Sequence, residues 1–292
     1  MDKCIRNAYA KINLGLDVVG RLENGYHEVR MIMQTVGICD VLTLEKAEEG
    51  IRVTTDNDEL PADENNLIYK AAKLMKEKYN ITQGVCIHLE KHIPIAAGMA
   101  GGSTDAAATF IGMNELFSCG AGEEELRHLG VKVGADVPYC IMGGTALAEG
   151  IGEKLTKLPP PPKCYLLIAK PDINVSTKYV YEHLDEEGVS YHPDIDGMIG
   201  AIESGSLSGI VERLENVLEN VTVKKYPIIQ QIKEIMLEAG AAGSLMSGSG
   251  PTVFGIFTDE KAAEAGLQML AEKQLAKELF VTQFCEGGTY AG

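Results

Sequence analysis

Residues 94–110 read Pro-Ile-Ala-Ala-Gly-Met-Ala-Gly-Gly-Ser-Thr-Asp-Ala-Ala-Ala-Thr-Phe, a loop of small residues that runs directly into an alanine-rich, helix-forming segment. Gly98, Gly101 and Gly102 let the backbone approach an anion closely. Ser103 and Thr104 open the helix, and the free N–H groups at a helix start point at such an anion. The stretch therefore predicts a phosphate-binding loop, and the ligand we expect is a nucleotide.

The loop follows neither of the commonest nucleotide-binding patterns. No lysine follows the glycines, so the Gly-x-x-x-x-Gly-Lys-[Ser/Thr] signature is absent, and the spacing is not that of a dinucleotide fingerprint. Glycine also marks tight turns formed for packing reasons alone, which explain a bare loop of this kind about half the time. The functional interpretation therefore depends on motifs elsewhere in the chain.

Charge and composition narrow the class of protein. The 292 residues are 45% hydrophobic, which is typical of a globular protein. Their net charge is −16, so the electrostatic field of the protein repels nucleic acid and anionic membranes. Charges interrupt residues 1–6, and no apolar run is long enough to span a bilayer. Seven scattered cysteines without a Cys-x-x-Cys pair are typical of reduced thiols rather than structural zinc. We expect a cytoplasmic globular protein without nucleic-acid or membrane partners, whose oligomeric state does not follow from the sequence.

Four consecutive prolines, residues 159–162, divide the chain, because they can neither continue a helix nor donate to a sheet. We place a linker at 159–163 between an N-terminal domain, 1–158, and a C-terminal domain, 164–292. Alternating or β-branched stretches predict strands, and apolar residues at helical spacing predict helices, so the fold class is α+β. Strands are expected at 5–14, 41–46, 51–55, 85–91, 165–169, 244–247, 252–257 and 279–284, and helices after the polar cluster 63–66, at 228–236 and at 259–273.

Three further motifs accompany the central loop. They are Ala8-Tyr9-Ala10-Lys11-Ile12-Asn13-Leu14-Gly15-Leu16 with residues 20–29, Gly130-Val131-Lys132-Val133-Gly134-Ala135-Asp136-Val137-Pro138 with residues 148–153, and Met246-Ser247-Gly248-Ser249-Gly250-Pro251-Thr252-Val253-Phe254. In this order the four motifs resemble the small-molecule kinases grouped with galactokinase, homoserine kinase, mevalonate kinase and phosphomevalonate kinase. The loop is similar to their Pro-x-x-x-Gly-Leu-Gly-Gly-Gly-Ser-Ser-[Asn/Asp]-Ala-Ala signature, from which Met99, Ala100 and Thr104 depart. If the backbone needs a positive φ at Ala100, that alanine is strained.

The resemblance implies a two-domain kinase fold of the galactokinase and homoserine kinase type. An N-terminal mixed α/β domain would bind the nucleotide and carry the catalytic groups, and a C-terminal α+β domain with an antiparallel sheet would complete the substrate site. The first and third motifs are similar to the subgroup that phosphorylates a cytidine diphosphate-linked polyol in non-mevalonate isoprenoid synthesis. The implied cofactors are ATP and Mg²⁺, the latter bound to phosphate.

The same resemblance implies that Lys11 and Asp136 are the catalytic pair. Asp136 would accept the proton of the substrate hydroxyl, and Lys11 would keep Asp136 ionised and polarise that hydroxyl. Without its motif, a lysine such as Lys11 would be expected to be solvated in about nine cases in ten, because lysine is rarely buried without a partner. Taken alone, Asp136 caps an Asp-x-Pro turn about half the time. The order of the four motifs favours catalysis.

The resemblance also implies the ATP contacts. The β- and γ-phosphates would lie against Ser103, Thr104 and the preceding N–H groups, with Mg²⁺ bridging phosphate oxygens. Asp105 is equally well explained as a metal ligand or as a first-turn acid that stabilises the helix dipole. Without the resemblance, Leu67 and Ile68 would be interpreted as core residues and Lys91 as a solvated lysine. The predicted ATP-binding residues are Pro94, Ile95, Ala96, Ala97, Gly98, Met99, Ala100, Gly101, Gly102, Ser103, Thr104, Leu67, Ile68 and Lys91.

The substrate contacts follow from the matching positions of the subgroup. Tyr26 and Tyr181 would sandwich the cytosine base, and His27 would contact its edge. Asn13 would hold the polyol hydroxyls or phosphates, and Thr177 lies in a loop that the family uses near the catalytic pair. Without the resemblance, each tyrosine would be a core aromatic and His27 a surface imidazole.

Two other functions remain open on the sequence. A sister kinase acting on homoserine, a sugar or a mevalonate derivative would lack a base-sized slot at the three aromatic positions. A nucleotide-binding sensor that has lost catalysis would be expected to lose the catalytic pair first, and both of its members are present.

Overall fold

The computed structural model describes residues 2–23, 25–189 and 191–285. Its strands alternate with helices along the chain, as the sequence predicted. The strands are β1 Lys3–Arg21, β2 His27–Ala47, β3 Ile51–Thr55, β4 Gly84–Glu90, β5 Thr145–Gly150, β6 Lys154–Leu158, β7 Tyr165–Lys170, β8 Glu215–Asn216, β9 Gly243–Met246, β10 Val253–Phe257 and β11 Glu278–Gln283.

Several helices begin at a side-chain cap. Asn66 accepts a hydrogen bond from Ile68 N–H at the start of the first helix, and Asp259 caps the last one in the same way. The helices are α1 Leu67–Lys78, α2 Gly101–Leu116, α3 Glu123–Gly130, α4 Val137–Met142, α5 Thr177–Glu187, α6 Ile195–Glu203, α7 Leu207–Val211, α8 Glu219–Lys225, α9 Ile228–Glu238 and α10 Glu260–Glu272.

A seven-stranded mixed sheet is built around the long hairpin of β1 and β2. Its main path is β3-β4-β2-β1-β8, and β5 and β6 extend it from β2. The strand β2 pairs with β4 through residues 41–47 and with β5 through residues 29–34, so one strand serves two neighbours along its length. The β3–β4 and β1–β8 pairs are parallel, and the other pairs are antiparallel.

A second sheet has four strands in the order β11-β7-β10-β9, and all of its pairs are antiparallel. This arrangement confirms the predicted fold class, with a mixed sheet in the N-terminal part and an antiparallel sheet in the C-terminal part. Residues 159–164 lie between β6 and β7 without helix or strand. Both hydrophobic clusters of the core draw residues from before and after this segment, so the division into domains at 159–163 stays a prediction.

The helix α2 follows the glycine loop into the core. Its buried residues surround the whole helix, and it packs against α1, α4, β1 and β2. Three successive alanines, 106–108, and Gly112 allow this close approach: a Cβ at Gly112 would lie 2.7 Å from Leu44 Cδ1. The packing fixes the helix axis, and with it the position of the loop at its N-terminus. No helix in the described ranges is long and apolar enough to cross a membrane.

Candidate active site

Two cavities meet at the glycine loop. The larger cavity has a volume of about 600 Å³, and the smaller cavity has a volume of about 390 Å³. Gly98, Ala100 and Ser103 line both of them. A ligand that lies along the loop can therefore extend from one cavity into the other.

The larger cavity brings together every residue that the sequence predicted for catalysis and substrate binding. They come from β1, from the turn into β2, from the segment before α4 and from α5. The residues are Lys11, Asn13, Tyr26, His27, Asp136, Thr177 and Tyr181.

Lys11 and Asp136 form an ion pair in this cavity. The distance from Lys11 Nζ to Asp136 Oδ2 is 3.8 Å, and Lys11 Nζ also donates to Asn13 Oδ1 at 2.9 Å. Only 6% of the Lys11 side chain is exposed, against 31% of Asp136. Lys11 is therefore not a solvated lysine, and an ammonium buried to this extent needs an anionic partner.

The local backbone explains how the pair is presented. The pairing of β1 with β2 shifts register between Tyr9 and Lys11, and Lys11 N–H donates to the Met99 carbonyl in the glycine loop at 3.2 Å. Asp136 occupies the N-cap position of α4, but its side chain makes no capping hydrogen bond to that fully described helix. The carboxylate is thus available to the cavity, contrary to the Asp-x-Pro turn interpretation.

An aromatic wall faces the pair. The rings of His27 and Tyr181 stack with their centroids 4.6 Å apart. Burial raises the pKa of Tyr181, and the nearby Asp136 carboxylate raises it further, so the phenol stays neutral. Tyr26 also lines the cavity and is 60% exposed. In this structure the ring that stacks on Tyr181 is the imidazole of His27. The sequence predicted that the cytosine base would lie between Tyr26 and Tyr181.

The second glycine motif closes the other side of the larger cavity. The hydroxyls of Thr177 and Ser249 share a hydrogen bond of 2.8 Å. The loop itself is held by Asn216, whose amide donates to the carbonyls of Met246 and Gly248 at 2.8 Å each. Neither Ser249 nor Asn216 was predicted for the site: Ser249 lies within the fourth motif but was given no role, and Asn216, which holds the loop without lining the cavity, lies outside every motif.

The two glycine loops touch each other at Gly98. This residue has a φ of 72°, and a Cβ built on it would lie 2.4 Å from the Ser247 carbonyl oxygen. The Ser247 hydroxyl donates to the Gly98 carbonyl at 3.0 Å. Only glycine fits at this contact, which fixes the wall that both cavities share.

The predicted phosphate-binding loop begins its helix two residues earlier than expected, at Gly101. Ala100 has φ 58° and ψ 27°, in the left-handed region, and is the N-cap of α2. Ala96 also has a positive φ, of 52°. No described side chain caps this 16-residue helix, so the first N–H groups of α2 remain available to an anion.

The predicted ATP residues separate into two groups. The walls of the smaller cavity contain Leu67, Lys91, residues 94–98 and residues 100–103. The side chains of Ile68, Met99 and Thr104 are buried in the core and line neither cavity. The Thr104 hydroxyl donates to the Tyr9 carbonyl at 2.8 Å, so it joins α2 to β1 instead of facing a ligand.

A buried cluster of Asp40, Lys91 and Asp105 lies at the wall of the smaller cavity, which Lys91 and Asp105 line. Lys91 Nζ binds the Asp40 carboxylate and lies 3.5 Å from Asp105 Oδ2, with all three side chains almost fully buried. The other Asp40 oxygen accepts the N–H groups of His92 and Ile93 at 2.5 and 2.7 Å. The pairing of Val41 with Glu90 in β2 and β4 brings Asp40 and Lys91 together. The sequence did not predict this cluster.

The cluster holds two carboxyl groups against one ammonium. Burial raises the pKa of Asp105 well above its usual range; Lys91 lowers it, and Asp40 raises it again. Asp105 Oδ1 has no hydrogen-bond partner within the described residues. Because α2 begins at Gly101, Asp105 lies beyond the first turn of the helix, and it is a buried member of an ion cluster. No group of three or more His, Cys, Asp or Glu side chains in the described ranges could hold a metal ion.

The sequence matches the models of a known protein family. The family model described as GHMP kinases N terminal domain matches residues 66–144, and GHMP kinases C terminal matches residues 198–276. A 4-diphosphocytidyl-2-C-methyl-D-erythritol kinase of Lachnospira eligens is 56% identical over 97% of this chain and 99% of its own length. The chain belongs to the GHMP kinase family. A relative with the same description from Lachnoclostridium phytofermentans is 52% identical over 98% of this chain and 99% of its own.

Solved GHMP kinase structures agree with the fold. A crystal structure of 4-(cytidine 5'-diphospho)-2C-methyl-D-erythritol kinase superposes with a TM-score of 0.83 at 30% identity, covering 97% of this chain and 100% of the other. A homoserine kinase from Cytophaga hutchinsonii has a TM-score of 0.80 at 23% identity, covering 99% and 96%, and shows the shared fold alone. As a GHMP kinase, the protein is an ATP-dependent small-molecule kinase, and the family resemblance of its motifs is confirmed. The roles of individual residues stay predictions.

Proposed function

We propose that this GHMP kinase transfers the γ-phosphoryl group of ATP to the 2-hydroxyl of 4-diphosphocytidyl-2-C-methyl-D-erythritol, giving the 2-phosphate and ADP in non-mevalonate isoprenoid synthesis. The observation that carries the proposal is the wall shared by the two cavities. It would place a triphosphate that starts in the smaller cavity next to the Lys11–Asp136 pair of the larger one. The relatives at 56% and 52% identity carry the name of this activity.

The nucleotide would lie with its base in the smaller cavity, beside Leu67, and its phosphates along the glycine loop. The uncapped start of α2 offers N–H groups and the positive end of a helix dipole to those phosphates. Phosphoryl transfer asks the protein for positioning and for charge stabilisation rather than for a covalent intermediate. A preformed backbone site of this kind supplies both.

Asp136 would act as the base and Lys11 as its charge partner. The Asp136 carboxylate accepts the proton of the 2-hydroxyl as its oxygen attacks the γ-phosphorus in line with the departing ADP. Lys11, held by Asn13 and 3.8 Å from the carboxylate, pairs with Asp136 and stabilises negative charge on the attacking oxygen. Asn13 thereby positions the lysine in addition to its predicted contact with the substrate.

Mg²⁺ fits this site as an ion carried by the triphosphate. When bound, it neutralises the negative charge that develops on the phosphate oxygens. The described residues provide no cluster of protein ligands for it, and the free N–H groups of α2 leave the phosphate oxygens accessible. Phosphate oxygens and water would therefore be its main ligands.

The base of the substrate would occupy the aromatic side of the larger cavity. Tyr181 supplies a buried neutral ring, Tyr26 an exposed one, and His27 a ring nitrogen between them. Thr177 and Asn13 would hold the polyol and its phosphates.

The test is ATP consumption by the purified protein with 4-diphosphocytidyl-2-C-methyl-D-erythritol, homoserine, galactose or mevalonate. We expect turnover of the cytidyl substrate alone. Asp136→Asn should reduce kcat by about 10²–10⁴-fold, the usual contribution of a positioned base. Asp58→Asn, which removes an exposed carboxylate that lines neither cavity, is the matched control and should leave turnover unchanged.

The other outcomes would each exclude part of the proposal. Selective turnover of homoserine, galactose or mevalonate would exclude the cytidyl substrate and keep the kinase. ATP binding without turnover of any of the four would favour the sensor. Full activity of Asp136→Asn with the cytidyl substrate would remove Asp136 from catalysis.

A further inference from the structure

Asp185 lies on the same wall of the larger cavity as the predicted base site. It is one helical turn after Tyr181 on α5, so the two side chains share one face of the helix. Its Oδ1 is 2.7 Å from His27 Nε2, and its Oδ2 is 3.3 Å from Arg21 Nη1. The carboxylate therefore contacts the end of the β1–β2 hairpin at two points.

We propose that Asp185 is a positioning residue that fixes the orientation and the proton of His27, and thereby selects cytosine over uracil. The proposal rests on the proposed function, because it assigns base selection to the same cavity. Asp185 acts through His27 and is not itself a catalytic residue.

The hydrogen bond decides which nitrogen of the neutral imidazole carries the proton. A carboxylate only accepts hydrogen bonds, so the nitrogen facing it, Nε2, must be the N–H donor. In the neutral ring Nδ1 is then an acceptor, and it is the nitrogen left to meet a ligand. The 4-amino group of cytosine donates a hydrogen bond to such an acceptor. The corresponding carbonyl of uracil has no hydrogen to donate, and its oxygen would face the lone pair of His27 Nδ1.

The same carboxylate holds the imidazole in place. Arg21 and His27 are paired at the turn end of the β1–β2 hairpin, next to the hydrogen bond from Leu22 N–H to the Tyr26 carbonyl. Asp185 binds both residues and ties this end to α5. The stacking of His27 on Tyr181 adds a second contact between the same elements. His27 is consequently only 13% exposed, although it begins a strand next to a turn.

Three variants separate the parts of this proposal. Asp185→Ala removes the acceptor. Asp185→Asn keeps an oxygen that can accept from Nε2–H but removes the charge that binds Arg21. Glu186→Ala is the matched control, because it removes the neighbouring exposed carboxylate of α5, which lines neither cavity.

The measurements are steady-state kinetics with the cytidyl substrate and with the same polyol carried on uridine diphosphate. They are paired with calorimetric binding of cytidine diphosphate and uridine diphosphate. For Asp185→Ala we expect KM for the cytidyl substrate to rise about tenfold with kcat within about twofold, the loss of roughly one hydrogen bond. The preference for cytidine should fall about tenfold, and Asp185→Asn should restore most of it. Glu186→Ala should match the wild type.

The ¹⁵N spectrum of the His27 imidazole reports the tautomer without any reaction. At pH 8, where an ordinary imidazole is neutral, the wild type and Asp185→Asn should carry the proton on Nε2, and Asp185→Ala should show a mixture. A wild-type proton on Nδ1, or a base preference unchanged in Asp185→Ala, would overturn the proposal. Failure of the kinase function would instead appear as no turnover of either substrate, with the tautomer and the diphosphate binding still measurable.

Discussion

Replacing Lys91 with methionine should destabilise the protein more than any single change to the two carboxyl groups around it. The variant keeps a long side chain and removes the only ammonium of the Asp40, Lys91 and Asp105 cluster. When Asp105 is ionised, its attraction to Lys91 at 3.5 Å and an effective dielectric constant of about 20 is about 5 kcal/mol. Because Lys91 also costs free energy to bury, we expect a net loss of about 3–5 kcal/mol in the free energy of unfolding.

Asp105→Asn should have a much smaller effect, because it leaves Asp40 and Lys91 as a neutral pair. We expect a change within about 1 kcal/mol at neutral pH, since the loss of one attraction is offset by relief of a costly buried charge. The pKa of Asp105 is raised above its unfolded value, so its contribution to stability is present at low pH and is lost as pH rises through the folded pKa. Relative to the wild type, Asp105→Asn should therefore gain stability as pH increases.

The assay is urea unfolding followed by circular dichroism at pH 6 and pH 8, which suits a chain without tryptophan. A double-mutant cycle adds Lys91→Met in the Asp105→Asn background. There the substitution should lower the free energy of unfolding by less, because only one carboxyl group, that of Asp40, loses its partner. Equal destabilisation by Lys91→Met and Asp105→Asn, or additivity in the cycle, would refute the view that one ammonium neutralises both carboxyl groups.

Three further predictions concern the glycine loop. Gly98→Ala should lose about 2–5 kcal/mol of stability and raise KM for ATP, because its Cβ would lie 2.4 Å from the Ser247 carbonyl oxygen; thermal unfolding and kinetics check both. Ala100→Gly should raise Tm slightly, because relief of an alanine at φ 58° is worth about 1–2 kcal/mol and the added chain entropy about 0.4–1 kcal/mol. Thr104→Val should cost about 1–3 kcal/mol through the lost bond to the Tyr9 carbonyl, while KM for ATP stays unchanged; a raised KM would return Thr104 to the ATP site.

The fold and the composition of the larger cavity could be predicted because their signals are local. The strand at 51–55 has its predicted bounds, and the caps at Asn66 and Asp259 mark helix starts that the sequence shows directly. Motifs around Lys11 and Asp136 supplied the catalytic candidates, although the residues are 125 positions apart in the chain. The predicted strand at 41–46 was only the second half of β2, because its first half, from His27, mixes polar and apolar residues without clear alternation.

The direction of individual side chains could not be predicted in the same way. Lys91 was expected at the adenine, and it does line the smaller cavity, but the sequence did not show that its ammonium binds Asp40 of β2 and lies near Asp105 of α2. Thr104 lies in the middle of the motif, yet the turn of α2 directs it to β1. Asp185 has no motif at all, and only the packing of α5 on the hairpin brings it to His27. Each of these contacts depends on tertiary pairing, which a single sequence does not contain.

The charge distribution favours the proposal that the backbone, rather than a lysine, holds the phosphates. The chain has a net charge of −16, and the lysines and arginines that line the two cavities have carboxylate partners. Lys11 pairs with Asp136, Lys91 with Asp40, Arg21 with Asp185 and Lys178 with Glu182. Side-chain charge alone therefore offers little net attraction to a triphosphate. We therefore expect the attraction to come from N–H groups at the start of α2, which carry partial charge without a counter-ion. The left-handed conformation of Ala100 places this helix start at the wall that the two cavities share, which is where the proposed triphosphate would lie.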